Sequence, residues 1–460
     1  EVNDKINEKT VRNAPETIAA QEKAKAIQQA WTEWLWQNPS RAERLSRIYN
    51  DTFNNMRPRR FDGAHQTFPG MTVKWANQLH SQQKDGIWRI TQDRTALLAH
   101  EVGFGKSAVM VGAGMELRRL GLSDKNMYVV PKATQAQFRD QVRDIYPYAK
   151  VLYPGEADFT PARRTEFLSR AVTGDWDAII LSGEQFKRIP IKPETEAKFL
   201  RQEINNLRAA LEAEEQTSQE SSGGYRSRRS KETKTHKEIQ KALIRHEERL
   251  NETLGKIGEQ REHTIDFEDM GVDQLFVDEA DAYKNLHFAT RMGRIKGLPN
   301  GNSERAWDMY EKVRVLQDRG KGTGVVFATG TPVANTVAEL YTQMRYLQEP
   351  MLERRGIQHF DAWAKTFGET TEDIEQTPTG AYRLTQRFAK FQNIPELSNI
   401  WQSTADIRVA EDSPNIVRQR PRLVDDKGQA KRTIVTIQPD QTLLAYMGTL
   451  SARADNLKNV

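Results

Sequence analysis

The chain has 460 residues, 37% hydrophobic and 28% charged, with a formal net charge of +5 and no cysteine. That length exceeds one compact core and fits two or three structural units, while the missing cysteines exclude disulfides and thiolate metal sites and suit a reducing cytoplasm. No apolar run approaches the roughly 20 residues of a membrane span, no charged-then-apolar leader opens the chain, and the basic excess suits a polyanionic partner without demanding one.

Residues 1–70 read as a helical segment followed by a loop. AQEKAKAIQQAWTEWLWQ has helical composition, with Trp31 and Trp34 on one face. Burial in a core is the expected fate of these rings, ahead of base stacking. Residues 71–190 alternate short apolar runs (TALLAH, NMYVV, KVLY, DAIILS) with helical patterns, which predicts a parallel sheet covered on both faces. Residues 191–265 break that rhythm with two long amphipathic stretches. One places Phe199, Ile204, Leu207 and Leu211 on a stripe, the other Ile239, Leu243, Leu250, Leu254 and Ile257. These predict an inserted antiparallel helical hairpin whose Ser/Gly-rich, basic tip is mobile and solvated. The strand rhythm resumes over 266–350 with QLFVDE and GVVFATG. Residues 351–460 read as a mostly helical extension and linker, with a late strand KRTIVTIQP and a final helix QTLLAYMGTLSARA.

Three strand ends carry chemistry. In LLAHEVGFGKSAVM an apolar strand runs into a glycine turn and then a helix. Gly103 and Gly105 lack side chains, so backbone N–H groups can wrap a phosphate chain. Lys106 reaches toward the β- and γ-phosphates, Ser107 offers its hydroxyl to Mg²⁺, and the helix dipole adds to both. The strict GxxxxGK-S/T pattern is not met, because His100 stands at its first glycine. In VDQLFVDEAD an apolar strand ends in Asp278, suited to hold Mg²⁺ through water, and Glu279, suited to deprotonate an attacking water. In VVFATGTPVAN another strand runs out into Thr329, Gly330, Thr331 and Pro332, whose hydroxyls are placed to hydrogen-bond the carboxylate pair and couple nucleotide state to movement. A turn with an N-capping threonine is the blander reading.

In this order the strings resemble the Snf-type branch of superfamily 2 helicases. AHEVGFGKS is similar to that family's motif I, in which a Glu-x-Gly-x-Gly-Lys-Thr string replaces the strict form. VDEAD resembles motif II, and ATGTPVAN resembles motif III, with Asn335 at the family's asparagine. LHSQQKDGIW resembles the glutamine motif, which implies Gln83 on adenine. VVPKATQAQF and IILSGEQFKRIP resemble DNA-contacting segments, which implies Lys132, Gln137, Ser182 and Gln185 as backbone contacts. A closer resemblance is to the very large DNA methyltransferase–helicase proteins of phages, plasmids and integrative elements, which include phage antirestriction proteins. It rests on AHEVGFGKS, FEDMGVDQLFVDEADAYKNL, and RFAKFQNIPEL with its following ADI.

The resemblance implies an α/β fold: a RecA-like parallel sheet with helices on both faces, the inserted hairpin, and helical extensions at both ends. It implies a DNA-dependent ATPase and translocase that uses ATP and Mg²⁺ on double-stranded DNA in the cytoplasm of a bacterial host, with virion association left open. As partners it implies a second RecA-like lobe and allows a methyltransferase domain. Neither a glycine-rich motif V nor a QxxGRxxR-like motif VI occurs, and no methyl-donor loop or NPPY string is found. The chain opens on Glu1 rather than Met, so it reads as a first lobe from a larger protein. Without an arginine finger, typically worth on the order of 10³–10⁵ in rate, it is expected to bind Mg-ATP weakly and turn over slowly. The alternative is a nucleotide-gated DNA clamp or scaffold without turnover of its own. A P-loop kinase leaves two of the motifs unexplained, and the eight scattered histidines lack zinc spacing.

Overall fold

The computed structural model describes residues 3–6, 9–12, 14–53, 58–155, 157–220, 234–257, 265–288, 290, 292, 298, 303–334, 336–376, 382–409, 438 and 440–458. Two compact units divide it, Glu1–Pro58 and Arg59–Val460.

The first unit holds a hairpin of β1 (Asn3–Ile6) and β2 (Lys9–Arg12), which the sequence did not announce, and helices Ala14–Gln37 and Pro39–Phe53. Its tryptophans overturn the expectation of burial: Trp31, Trp34 and Trp36 are 55%, 42% and 65% exposed. The rings pack locally instead, Trp31 against Trp34 at 5.0 Å and the Arg41 guanidinium 3.5 Å over Trp34. Among the described residues of the second helix only Ala42 is buried, so that helix offers no core to receive an indole.

The second unit is built on β3 (Ala96–His100), β4 (Asn126–Val130), β5 (Val151–Leu152), β6 (Ala178–Ser182), β7 (Gln274–Val277), β8 (Val325–Thr329) and β11 (Ala405–Arg408). Between β8 and β11 lies a separate antiparallel hairpin of β9 (Gly368–Gln376) and β10 (Tyr382–Phe391). The seven-stranded sheet is parallel throughout, in the order β11-β3-β8-β7-β4-β6-β5. The apolar runs make these strands because both faces are covered, so an alternating polar residue would have nowhere to go. Along β3, Ala96 and Leu98 enter one core with Ile87, Val109 and Phe138, while Leu97 and Ala99 enter the other with Trp307, Val313 and Phe327. The first core is roofed by helices Ser81–Asp93, Lys106–Arg119 and Gln135–Ile145. This is the parallel α/β sheet covered on both faces that the strand–helix alternation implied.

Helices Pro193–Glu220 and Lys234–Ile257 form the inserted hairpin. Phe199, Ile204, Leu207 and Ile239 are buried, while Leu254 and Ile257 are 37% and 39% exposed. The basic tip lies outside the described residues. Arg208–Glu247 and Arg249–Glu196 tie the two helices, and Arg345–Glu203 ties the hairpin to helix Ala338–Leu347.

Beyond residue 350 the helical expectation needs correction. Helices Glu349–Arg354, Phe360–Phe367, Ile394–Gln402 and Gln441–Lys458 are present, but so are β9, β10 and β11. The segment YRLTQRFAKF carries apolar residues at both two- and four-residue spacing. Pairing with the Thr-rich partner GETTEDIEQ decides for strand, and Phe388 is buried. The strand expected in KRTIVTIQP lies outside the described residues, apart from Gln438.

Candidate active site

The carboxyl ends of β3, β7 and β8 open on one sheet edge. In an open α/β sheet that is where a crevice for ligands forms. After β3 the chain turns through Gly103 (φ 95°) and Gly105 (φ 72°), both in the left-handed region that side chains resist. Gly105 caps helix Lys106–Arg119. A Cβ at Gly103 would meet nothing within 4 Å, so the turn faces open space, whereas one at Gly105 would strike the Gln83 amide. Lys106 is buried, and its Nζ donates to the carbonyl of His100 at 3.1 Å. Ser107 follows in the helix's first turn.

Asp278 leaves β7 with its N–H donated to Val129 O at 2.8 Å, still locked to β4. Burial raises its carboxyl above the ordinary value, opposed by the charge of Lys106. Glu279 is raised by burial and then by Asp278, again opposed by Lys106. The lysine of the glycine turn and the acidic pair therefore share one electrostatic field. Glu279 sits at φ 48°, ψ 54°, a left-handed conformation costly for a residue with a side chain. It swings the main chain out of the strand into the turn Ala280–Tyr283.

β8 lies between the loop strand and the acidic strand. A Cβ on Gly330 would lie 3.0 Å from Val102 Cγ2 and 3.6 Å from Lys106 Nζ, so the missing side chain lets this turn touch the glycine turn after β3. The hydroxyl of Thr329 does not reach the expected pair: it points at Asp281 Oδ1, 3.5 Å away, and accepts the N–H of Thr331 at 3.1 Å. Asn335 lies outside the described residues.

Gln83 Nε2 donates to Phe104 O at 2.9 Å and its Oε1 accepts the His80 N–H at 2.9 Å, so its carboxamide props the loop from helix Ser81–Asp93. Of the residues expected at DNA, Lys132 and Gln137 are exposed beyond β4. Ser182 is buried at 2% and caps helix Gly183–Lys187 through Gln185 N, while Gln185 Oε1 accepts from Ser182 N and from Gln135 Nε2. Both hold the turn together; Ser182 is buried away from a polyanion, while Gln185 is half-buried.

Sequence reading missed one part of the site. β11 pairs with β3 and carries Asp406 and Arg408 to the base of the glycine turn, and Arg89 reaches Gln402 O from the neighbouring helix. The sequence signal was slight, a four-residue ADIR.

The family described as "Probable helicase domain" matches residues 88–409, and one described only as a domain of unknown function matches residues 1–55. A curated relative, defense against restriction protein B of Escherichia phage P1, is 23% identical over 461 aligned residues, covering 91% of this chain. The chain spans 19% of that relative's length. The SWI2/SNF2 ATPase core of Sulfolobus solfataricus, solved in complex with dsDNA, aligns at 12% identity over 66% of this chain and 41% of its own, with a TM-score of 0.34.

Proposed function

This chain belongs to the helicase-domain family that spans residues 88–409, and from that premise we propose that it is the ATP-binding lobe of a DNA-dependent ATPase and translocase. The observation that carries the reading is the convergence of Lys106, the Asp278–Glu279 pair and the Gly330 turn on one sheet edge. The residues fit a magnesium–nucleotide complex. The turn at Gly103 opens on free space, Lys106 has a backbone carbonyl to leave, and two adjacent carboxylates, Asp278 half-buried and Glu279 exposed, gain from a cation between them. Ser107 and Asp278 would hold Mg²⁺, which would neutralise charge on the transferring phosphoryl group. Glu279 would orient and deprotonate water. Gln83 keeps one amide N–H and one lone pair for an adenine edge beyond the bonds it already makes.

The phage relative's name, and the small share of its length that this chain covers, support a place in a larger mobile-element protein acting in defence against restriction. A second lobe would there complete the site, and steps along duplex DNA would rest on phosphate contacts that do not read sequence. Lys132 and Gln137 are the side chains best presented for that role.

Replacing Lys106 by Ala removes a charged donor and weakens Mg-ATP binding by about 10- to 100-fold, measured by equilibrium titration, while DNA binding persists. Unchanged affinity sinks the reading. Duplex DNA should raise the slow hydrolysis of the wild-type chain; tight nucleotide binding with no turnover on DNA would favour a nucleotide-gated clamp. Gly330→Val overpacks the contact with Val102 and Lys106 at a cost of about 1–3 kcal/mol. It should appear as weakened nucleotide binding in the same titration.

A further inference from the structure

Strand β11 grips the phosphate loop from the far end of the sequence. Nε2 of His100 donates to Asp406 Oδ2 at 2.7 Å, across 306 residues. Both side chains are buried, at 1% and 9% exposure. Burial alone would raise the Asp406 carboxyl, but the His100 hydrogen bond, followed by the charges of His100, Arg408 and Arg89, holds it below the ordinary value, so it accepts as a carboxylate. The main chain continues the grip: Glu101 N donates to Arg408 O at 2.9 Å. Arg408 also donates from Nε to Asp406 Oδ1 at 3.1 Å and stands 3.7 Å from Asp85 on helix Ser81–Asp93. That helix holds the other end of the loop through Gln83 and Phe104. The loop is thus fastened on both sides of its exposed tip, Val102–Gly103.

The fastening explains why an imidazole occupies a position where the strict phosphate-loop pattern has glycine. The ring needs a slot, and Gly86 makes it: a Cβ there would lie 3.5 Å from Asp406 Oδ2, 3.7 Å from His100 Cε1 and 3.2 Å from Val109 Cγ1. Nδ1 of His100 has no hydrogen-bond partner among the described residues, so Asp406 is the anchor of the ring. The carbonyl of that same residue receives Lys106 Nζ.

We propose that Asp406 is a positioning residue for the phosphate loop, acting through His100, so that the grip on nucleotide depends on β11 being docked at the sheet edge. This rests on reading the loop as the ATP site. β11 is four residues long and, among the described strands, pairs only with β3, which makes it the strand of the three nearest the loop that is most easily released. Its release strips Glu101 N of a main-chain partner and leaves a buried imidazole unpaired. Displacement of a loop by about 1 Å is enough to lose on the order of 10²-fold in function. A pull on β11 is thereby felt as a change in nucleotide affinity.

The test is an equilibrium titration of the 460-residue chain with a fluorescent Mg-ATP analogue, each variant held below its own melting midpoint. Asp406→Ala should weaken binding on the order of 10- to 100-fold. Asp406→Asn, whose one amide oxygen can take the place of Oδ2 and accept from Nε2, should weaken it less. His100→Ala combined with Asp406→Ala should be no weaker than His100→Ala alone, because both act through one bond. Wild-type affinity in folded Asp406→Ala, or additive losses in the double variant, overturns the proposal. If Asp406→Ala does not fold, wild-type affinity in both His100→Ala and Asp406→Asn overturns it equally. A wild-type chain that fails to bind the analogue, and resembles Lys106→Ala, removes the nucleotide reading along with this one. A wild-type chain that binds, with every Asp406 variant matching it, removes this one alone.

Discussion

Replacing Glu279 by glutamine lowers ATP hydrolysis by about 10²–10⁴-fold and leaves Mg-ATP binding in place. The amide keeps the size and the left-handed backbone of the residue but cannot take a proton from water. A single-turnover measurement with enzyme in excess reads the chemical step even where turnover is slow. The pH dependence supplies a second signature. Burial and the neighbouring Asp278 raise the Glu279 carboxyl, so it is protonated sooner as pH falls. The acid limb of the wild-type rate should lie above the ordinary carboxylate range, and the glutamine variant should lack it. The stability sign is the reverse of the common salt-bridged case. A carboxyl raised on folding binds its proton more tightly in the native state, so it detracts from stability at neutral pH and is relieved as pH falls through the raised value. Glu279→Gln should therefore be slightly more stable than wild type at neutral pH while being far less active. A variant that hydrolyses ATP at the wild-type rate ends the assignment of Glu279 as base.

Replacing Arg345 by alanine destabilises the second unit by about 3–5 kcal/mol, read as a lowered denaturant midpoint. Arg345 and Glu203 have side chains 7% and 4% exposed and meet at 2.9 Å. Arg345 also donates to His287 O at 2.7 Å and lies 4.7 Å over the Tyr310 ring. Removing it strands a buried carboxylate among the inserted hairpin, His246 and His287. The adjoining cavity of about 390 Å³ is lined by both partners and by Tyr310, Tyr341 and Glu349. Removing both charges together, as Arg345→Met with Glu203→Leu, should recover most of the loss, because neither partner is then left uncompensated. If the single variant unfolds at the wild-type midpoint, the pair does not secure the hairpin.

What could be read in the sequence follows the range of the interactions. Gly103, Gly105, Lys106, Asp278 and Glu279 announce themselves because a strand end and the turn after it are local. A short apolar run needs no distant partner to be recognised. The insertion was legible for the same reason, since Phe199, Ile204 and Leu207 repeat on one helical face. The His100–Asp406 bond was not, because 306 residues separate its ends and neither residue is unusual in its own neighbourhood. Ser182 misled because a side chain in a recognisable string can be spent on capping the next helix. The tryptophans of the first unit misled because preference for the interior decides nothing where helix Pro39–Phe53 buries only one alanine.

The interposed strand β8 has a consequence for how the site is dimensioned. The glycine turn and the acidic pair hang from strands two places apart, so they are separated by roughly twice the 4.7–4.9 Å between hydrogen-bonded neighbours, or about 10 Å. That is a gauge cut by the peptide ladder itself. No exchange of side chains can widen or narrow it; a substitution can only change what stands in the gap, and Gly330 leaves the gap as empty as the ladder permits.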